Sequence, residues 1–151
     1  MKHSYLITVG VDGSDGGRRA LDWAVREAVA RGGAVRAVSV WLWDGYADGA
    51  VVGLTPREQA AYVTEVLHRD IEDVTRRYGS SVPITAEVVE GTPAAVLTTA
   101  ARDGDLLVLG SHGHGRIRHG LLGSVSESCI HAGPCPVVVI PVPAPAGAAA
   151  A

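Results

Sequence analysis

The chain has 151 residues, of which 47% are hydrophobic, and its formal net charge is −3. This size and composition predict one domain with a single core, and the acidic balance argues against a nucleic-acid-binding protein or one that binds anionic membranes. No apolar stretch approaches the length of a membrane-spanning helix, so we expect no transmembrane segment.

The first residues lead directly into a short apolar strand instead of a longer apolar leader, so we expect no signal peptide. The two cysteines, Cys129 and Cys135, form no C-x-x-C pattern. We interpret them as reduced thiols of a cytoplasmic protein, and a redox switch or a disulfide is the alternative.

Short β-rich runs alternate with stretches of helical periodicity along the chain. The first kind of run predicts strands, and the second predicts helices. The strands are expected at 4–9, 34–43, 82–89, 105–109 and 137–140, and the helices at 16–31, 56–78, 94–102 and 124–131. Residues 142–151 are rich in proline and alanine and predict a disordered tail after a single domain at 1–141.

The two longest helices each carry an apolar stripe that predicts a buried face. In the first helix, which Ser14 or Asp15 is expected to cap, the stripe consists of Ala20, Leu21, Ala24, Val25, Ala28 and Val29. In the second it consists of Tyr62, Val63, Val66, Leu67, Ile71 and Val74. Acid–base pairs at i,i+4 on the second helix are interpreted as solvated surface.

Strict alternation of strands and helices predicts an α/β fold with a doubly wound, five-stranded parallel sheet and helices on both faces. Right-handed crossovers favour the strand order 3-2-1-4-5, which is Rossmann-like. In such a sheet a ligand lies beyond the carboxyl ends of the strands, where the strand order reverses. The loops at 10–15, 41–45 and 110–123 are therefore the candidate binding loops.

The segment 110–126, GSHGHGRIRHGLLGSVS, follows a buried strand and leads into a helix. Backbone N–H groups of a glycine-rich loop can turn towards an anion, and the N-terminus of the next helix adds its dipole. Ser124 is expected to be the N-cap of that helix. The segment therefore predicts a phosphate-binding loop.

The spacing of this loop resembles the universal stress protein family. Gly110, Gly113, Gly123 and Ser124 match the G-x2-G-x9-G-[S/T] pattern of the members that bind ATP. The opening VGVDGS at 9–14 and the closing GPCPVVVI at 133–140 are similar to the first and last units of that family. The resemblance covers about residues 4–140, and the fold it implies is similar to that of the adenine nucleotide alpha hydrolases.

The resemblance implies an ATP-binding regulatory or stress-response module that carries Mg²⁺ and forms a homodimer through the strand Val137–Ile140. It implies that Asp12 contacts the ribose, that Val11 lies near the adenine, and that Val40, or its neighbour Trp41, meets the adenine edge. Leu109 and Gly110 are implied to line the nucleoside. The residues implied to surround the phosphates are Gly113, Gly123, Ser124, Val125 and Ser126.

Several residues have a second interpretation. Asp12 is also a common turn or capping residue. His112, His114, His119 and His131 are crowded together, but the first three lack helical registration and an acidic neighbour, so we do not expect a metal site. Arg116 or Arg118 is a candidate partner of the γ-phosphate, and an exposed loop arginine is equally expected.

The sequence does not indicate a dedicated enzyme. No lysine precedes Gly123 and Ser124 as in a Walker motif, and no catalytic base is evident, so slow ATP hydrolysis is the most we expect. The alternatives are an enzyme of nucleotide chemistry, a flavodoxin-like FMN carrier and an interaction dimer that does not depend on ATP.

Overall fold

The computed structural model describes residues 4–43, 53–113 and 122–143. In these ranges, strands and helices alternate from the first element to the last. The strands are β1 (Leu6–Gly10), β2 (Ala34–Trp41), β3 (Ile84–Glu90), β4 (Leu106–Gly110) and β5 (Val137–Ile140). The helices are α1 (Asp15–Arg31), α2 (Pro56–Tyr78), α3 (Pro93–Ala100) and α4 (Ser124–Ala132).

The five strands form one parallel sheet in the order β3-β2-β1-β4-β5, which confirms the predicted fold and strand order. β1 and β4 are neighbours, with Ile7 beside Leu106 and Val9 beside Val108. The chain leaves these two strands in opposite directions across the sheet. The carboxyl ends of β1 and β4 therefore form the cleft at which a doubly wound sheet binds its ligands.

The core lies in two layers, one on each face of the sheet. On one face, Ile7 and Val9 of β1 pack with Leu21 of α1 and Leu67 of α2. On the other, Leu107 and Leu109 of β4 pack with residues of α3 and α4, among them Leu97 and Cys129. Helices cover both faces of β1 and β4, so apolar side chains are favoured on either face. This explains the continuous apolar runs of these strands.

The predicted buried face of α1 is confirmed except at Val29, which is 50% exposed. On α2, Leu67 and Val74 are buried as predicted, but Tyr62 is 54% exposed and that assignment was wrong. The reason is length: the 23 residues of α2 rise about 35 Å, and the strands beneath are shorter. Its first turns therefore extend past the sheet, and periodicity alone does not reveal this.

Helix caps set where the elements begin. The Ser14 hydroxyl accepts from Gly17 N at 3.1 Å and caps α1. The prediction that Ser124 caps α4 was wrong: Gly123 is the N-cap and Ser124 is the first helical residue. Gly123 has no side chain, so the cap leaves the amides of the first turn without a side-chain acceptor from that position.

Both cysteines are free, and burial raises the pKa of the Cys129 and Cys135 thiols. Within the described ranges, none of the helices is long and apolar enough to cross a bilayer. The predicted tail lies outside the described residues from position 144 onward.

Candidate functional site

A cleft with about 560 Å³ of free space opens at the carboxyl ends of β1 and β4. This volume includes space that is open to solvent at the mouth of the cleft. Its lining combines apolar side chains with glycines and a few polar groups. The lining residues are Gly10, Val11, Asp12, Gly17, Val38, Val40, Pro93, Leu97, Leu109, Gly110, His112, Gly113, Val125 and Ser126.

Most of the candidate residues from the sequence meet in this cleft. Those that line it are Val11, Asp12, Val40, Leu109, Gly110, Gly113, Val125 and Ser126. Gly123 and Ser124 do not line it, although they begin the helix whose next residues do. Of the two alternatives at the end of β2, Val40 lines the cleft and Trp41 does not.

Sequence reasoning missed one wall of the cleft. Pro93 and Leu97 come from the first turns of α3, which packs over β1 and β2. No loop after β1, β2 or β4 contains them, so a search of those loops could not find them. The sequence did contain a signal: Thr92 and Pro93 mark the start of a helix that follows a parallel strand. Such a helix begins near the carboxyl edge of the sheet, which is where the cleft lies.

Asp12 belongs to a compact turn after β1. Its Oδ1 accepts from Ser14 N at 3.0 Å and from the Ser14 hydroxyl. The Ser14 hydroxyl oxygen in turn accepts from Gly17 N, so the carboxylate is joined to the N-terminus of α1. Asp12 therefore has the turn and capping role that was its alternative interpretation, and it also faces the cleft.

The loop after β4 lies directly against this carboxylate. A Cβ atom at Gly113 would overlap Asp12 Oδ2, and one at Gly17 would come within 2.7 Å of Asp12 Oδ1. Such distances do not occur between real side chains without displacement. Glycine at these two positions allows the first turn of α1 and the segment after β4 to close around one carboxylate.

α4 is fixed to the end of β4 by two hydrogen bonds. The Ser126 hydroxyl donates to Gly110 O at 2.7 Å, and Gly123 N donates to Ser111 O at 2.8 Å. These contacts bring the first turn of α4, with Val125 and Ser126, to the cleft. The amides of a first helical turn can bind an anion there.

His112 lines the cleft, and its Nδ1 lies 3.1 Å from the Ser111 hydroxyl. Across the parts of the chain that the structure describes, no group of three histidine, cysteine or acidic residues is arranged to hold a metal ion. The other loop candidates, His114, Arg116, Arg118 and His119, lie outside the described residues.

Residues 6–141 match the model of the universal stress protein family. One relative is universal stress protein Rv2005c of Mycobacterium tuberculosis H37Rv, which is 35% identical over 136 residues. That alignment covers 88% of this chain and 44% of the relative. The chain thus spans about half the length of the curated relatives it matches.

Two solved structures share the fold. One is a universal stress protein in complex with cAMP, which is 23% identical with a TM-score of 0.68 over 92% of this chain and 98% of that one. The other is the universal stress protein of Archaeoglobus fulgidus in complex with dAMP, 19% identical with a TM-score of 0.57 over 93% and 99% of the two chains. At these identities the likeness establishes the fold alone.

Proposed function

Because the chain belongs to the universal stress protein family, we propose that it binds ATP in the cleft between β1 and β4 and acts as a nucleotide-dependent regulatory module in the stress response. The observation that carries the proposal is the meeting of Asp12, the Gly110–Gly113 segment and the first turn of α4 around one cleft. An acidic group, glycine backbone and helical amides are the groups that ribose and phosphate require.

The lining supports a division of the cleft into two parts. Val38, Val40, Leu97 and Leu109 offer apolar surface for the adenine ring. Asp12 can accept hydrogen bonds from ribose hydroxyls. Gly113 and Ser126, with the neighbouring Gly123, Ser124 and Val125, are proposed to surround the phosphates through amides and hydroxyls.

The donors of the cleft also suit Mg²⁺, which prefers oxygen ligands and is commonly held by one or two carboxylates and by substrate phosphates. Since the Asp12 carboxylate is assigned to the ribose, the Ser126 hydroxyl on the lining and the phosphate oxygens are the ligands proposed for Mg²⁺. A bound Mg²⁺ would neutralise part of the phosphate charge.

The complexes of related proteins with cAMP and dAMP agree with an adenine nucleotide as ligand. The preference for a triphosphate rests on the Gly110–Ser124 motif. The decisive experiment is mass analysis of nucleotide released when the purified protein is denatured, followed by calorimetric titration of nucleotide-free protein with ATP, AMP and cAMP. If the protein binds none of the three nucleotides, the proposal is overturned.

We further propose a cytoplasmic homodimer that pairs through β5. This strand is at the edge of the sheet, and its four side chains are only partly buried. An apolar edge strand is a template for pairing with another strand. Light scattering at micromolar concentration tests the dimer, and a monomeric mass contradicts it.

An interaction dimer that does not depend on ATP remains the second candidate function, because this edge exists whether or not the cleft is filled.

A further inference from the structure

The peptide unit between Gly13 and Ser14 is held at both ends. Its carbonyl, Gly13 O, accepts from Arg18 Nη1 at 2.7 Å. Its N–H, on Ser14, donates to Asp12 Oδ1 at 3.0 Å. The two groups belong to one planar unit and point in opposite directions. Any rotation of that plane therefore moves the hydrogen bond to Asp12 as well as the one to Arg18.

The backbone on the Gly13 side does not hold the plane by itself, whereas Ser14 on the other side is fixed as the N-cap of α1. Gly13 has a φ of 80°, a conformation that glycine enters and leaves at low cost. The peptide that follows such a residue can reorient easily. The guanidinium of Arg18 is the group that contacts this carbonyl on the side away from Asp12.

Arg18 makes further contacts near the start of α1. It lies in the first turns of α1, where its backbone N donates to Ser14 O at 3.0 Å, and its guanidinium also pairs with Asp15. The hydrogen bond with Asp15 raises the pKa of Arg18, and the charges of Asp70 and Asp12 raise it further, against the opposing effect of burial. Arg18 faces the groove beside the cleft and does not line the cleft.

We propose that Arg18 is a positioning residue for Asp12: it fixes the Gly13–Ser14 peptide, which in turn orients the carboxylate at the cleft. Arg18 itself does not line the cleft in which the nucleotide is proposed to bind. The expected effect of Arg18 on ATP binding rests on the proposed function. Its expected effect on the Gly13–Ser14 peptide rests on the peptide geometry alone.

The binding test compares Arg18→Gln and Arg18→Lys with the parent protein by calorimetry with ATP. Arg18→Gln is expected to weaken binding about tenfold, the scale of one hydrogen bond made by a charged group. Arg18→Lys is expected to retain most of the affinity, because an ammonium can still donate to Gly13 O.

A double-mutant cycle separates positioning from a general effect on the fold. In an Asp12→Asn background, Arg18→Gln is expected to add less than about twofold, since the carboxylate it orients is no longer present. Full additivity of the two changes overturns the proposal. The matched control is Asp15→Asn, which removes the exposed ion pair of Arg18 but leaves its contact with Gly13 O. If this control loses as much affinity as Arg18→Gln, the effect belongs to the ion pair and the proposal is overturned.

A second measurement needs no nucleotide. Amide hydrogen exchange followed by NMR is expected to show faster exchange of Ser14 N–H in Arg18→Gln, with the amides of the β1 core unchanged. Unchanged exchange at Ser14 overturns the inference. If the parent protein binds no adenine nucleotide while Ser14 exchange still responds to Arg18, the proposed function fails and the positioning of Asp12 stands.

Discussion

Gly113 and Asp12 approach each other so closely that a single methyl group at Gly113 would overlap Asp12 Oδ2. The two residues come from loops that are about a hundred positions apart in the sequence and that follow neighbouring strands. The closeness means that a displacement of Gly113 also displaces the carboxylate after β1, and the reverse.

Gly113→Ala is therefore expected to weaken ATP binding about tenfold or more, because the new Cβ displaces either the loop or the carboxylate. Calorimetry measures the affinity. The control is Gly104→Ala, remote from the cleft, where the nearest atom to a Cβ is Thr8 Oγ1 at 3.2 Å. Equal affinities for Gly113→Ala and the parent protein contradict the assignment of this loop.

Ser126→Ala is expected to destabilise the protein by about 1–2 kcal/mol, because the buried hydroxyl that bonds Gly110 O is lost. Urea unfolding measures the change. Ser128 is exposed on the same helix, so Ser128→Ala supplies a matched control that we expect to be close to neutral. A Ser126→Ala variant as stable as this control would show that the hydroxyl does not hold α4 to β4.

Asp70 is 8% exposed, and its Oδ2 lacks a hydrogen-bond partner within the described ranges. Burial raises the pKa of this carboxyl, against the attraction of Arg18 and, more weakly, Arg69, while Asp73 and Asp12 add to the rise. A raised folded-state pKa means that stability is fully present below the unfolded-state pKa and is lost as the pH rises through the folded-state pKa.

Asp70→Asn is therefore expected to stabilise the protein by about 1 kcal/mol at neutral pH, because it removes an ionised buried group. The gain should shrink as the pH falls through the raised pKa of Asp70. Urea unfolding across an acidic pH series measures this. Asp73→Asn is a control for which the pH dependence has the opposite sign. The hydrogen bond with Arg76 lowers the pKa of Asp73, so the stability that the Asp73 carboxylate contributes is lost as the pH falls. A gain at Asp70 that does not vary with pH would contradict the electrostatic cause.

Cys129 is fully buried and Cys135 partly so, and burial raises the pKa of both thiols. Since the thiolate is the reactive form, we expect Cys129 in the native protein to resist an aromatic disulfide reagent and Cys135 to react slowly. Two thiols should titrate rapidly in denaturant. Fast reaction of both in the native state would instead favour a redox role.

The sequence predicted the elements well where one physical signal dominated. The alternation of apolar runs with amphipathic stretches led to the correct strand order, and Val137–Ile140 was predicted with its observed bounds. Failures occurred where tertiary placement decides. Tyr62 has the right periodicity on a helix that outreaches its sheet, and Ser124 is a good capping residue one position too late.

The site shows the same division. Asp12 and the glycine segment could be found because local chemistry and spacing identify them. Pro93 and Leu97 could not, because only the packing of α3 over β1 and β2 brings them to the cleft. Likewise, nothing in the sequence around Arg18 indicates that its guanidinium donates a hydrogen bond to Gly13 O, the carbonyl of the residue that follows Asp12.

The wall formed by α3 has an evolutionary consequence. Pro93 and Leu97 belong to a helix separate from the segments that meet at Asp12, so a substitution there changes the apolar part of the cleft without replacing a residue that forms the contacts of Gly113 and Ser126. Leu97 is also a core residue, 4% exposed and packed with Leu107, Leu109 and Cys129, so a change of its size alters the packing of the fold as well as the shape of the cleft. Variation of this wall is therefore expected at the half-buried Pro93 sooner than at Leu97.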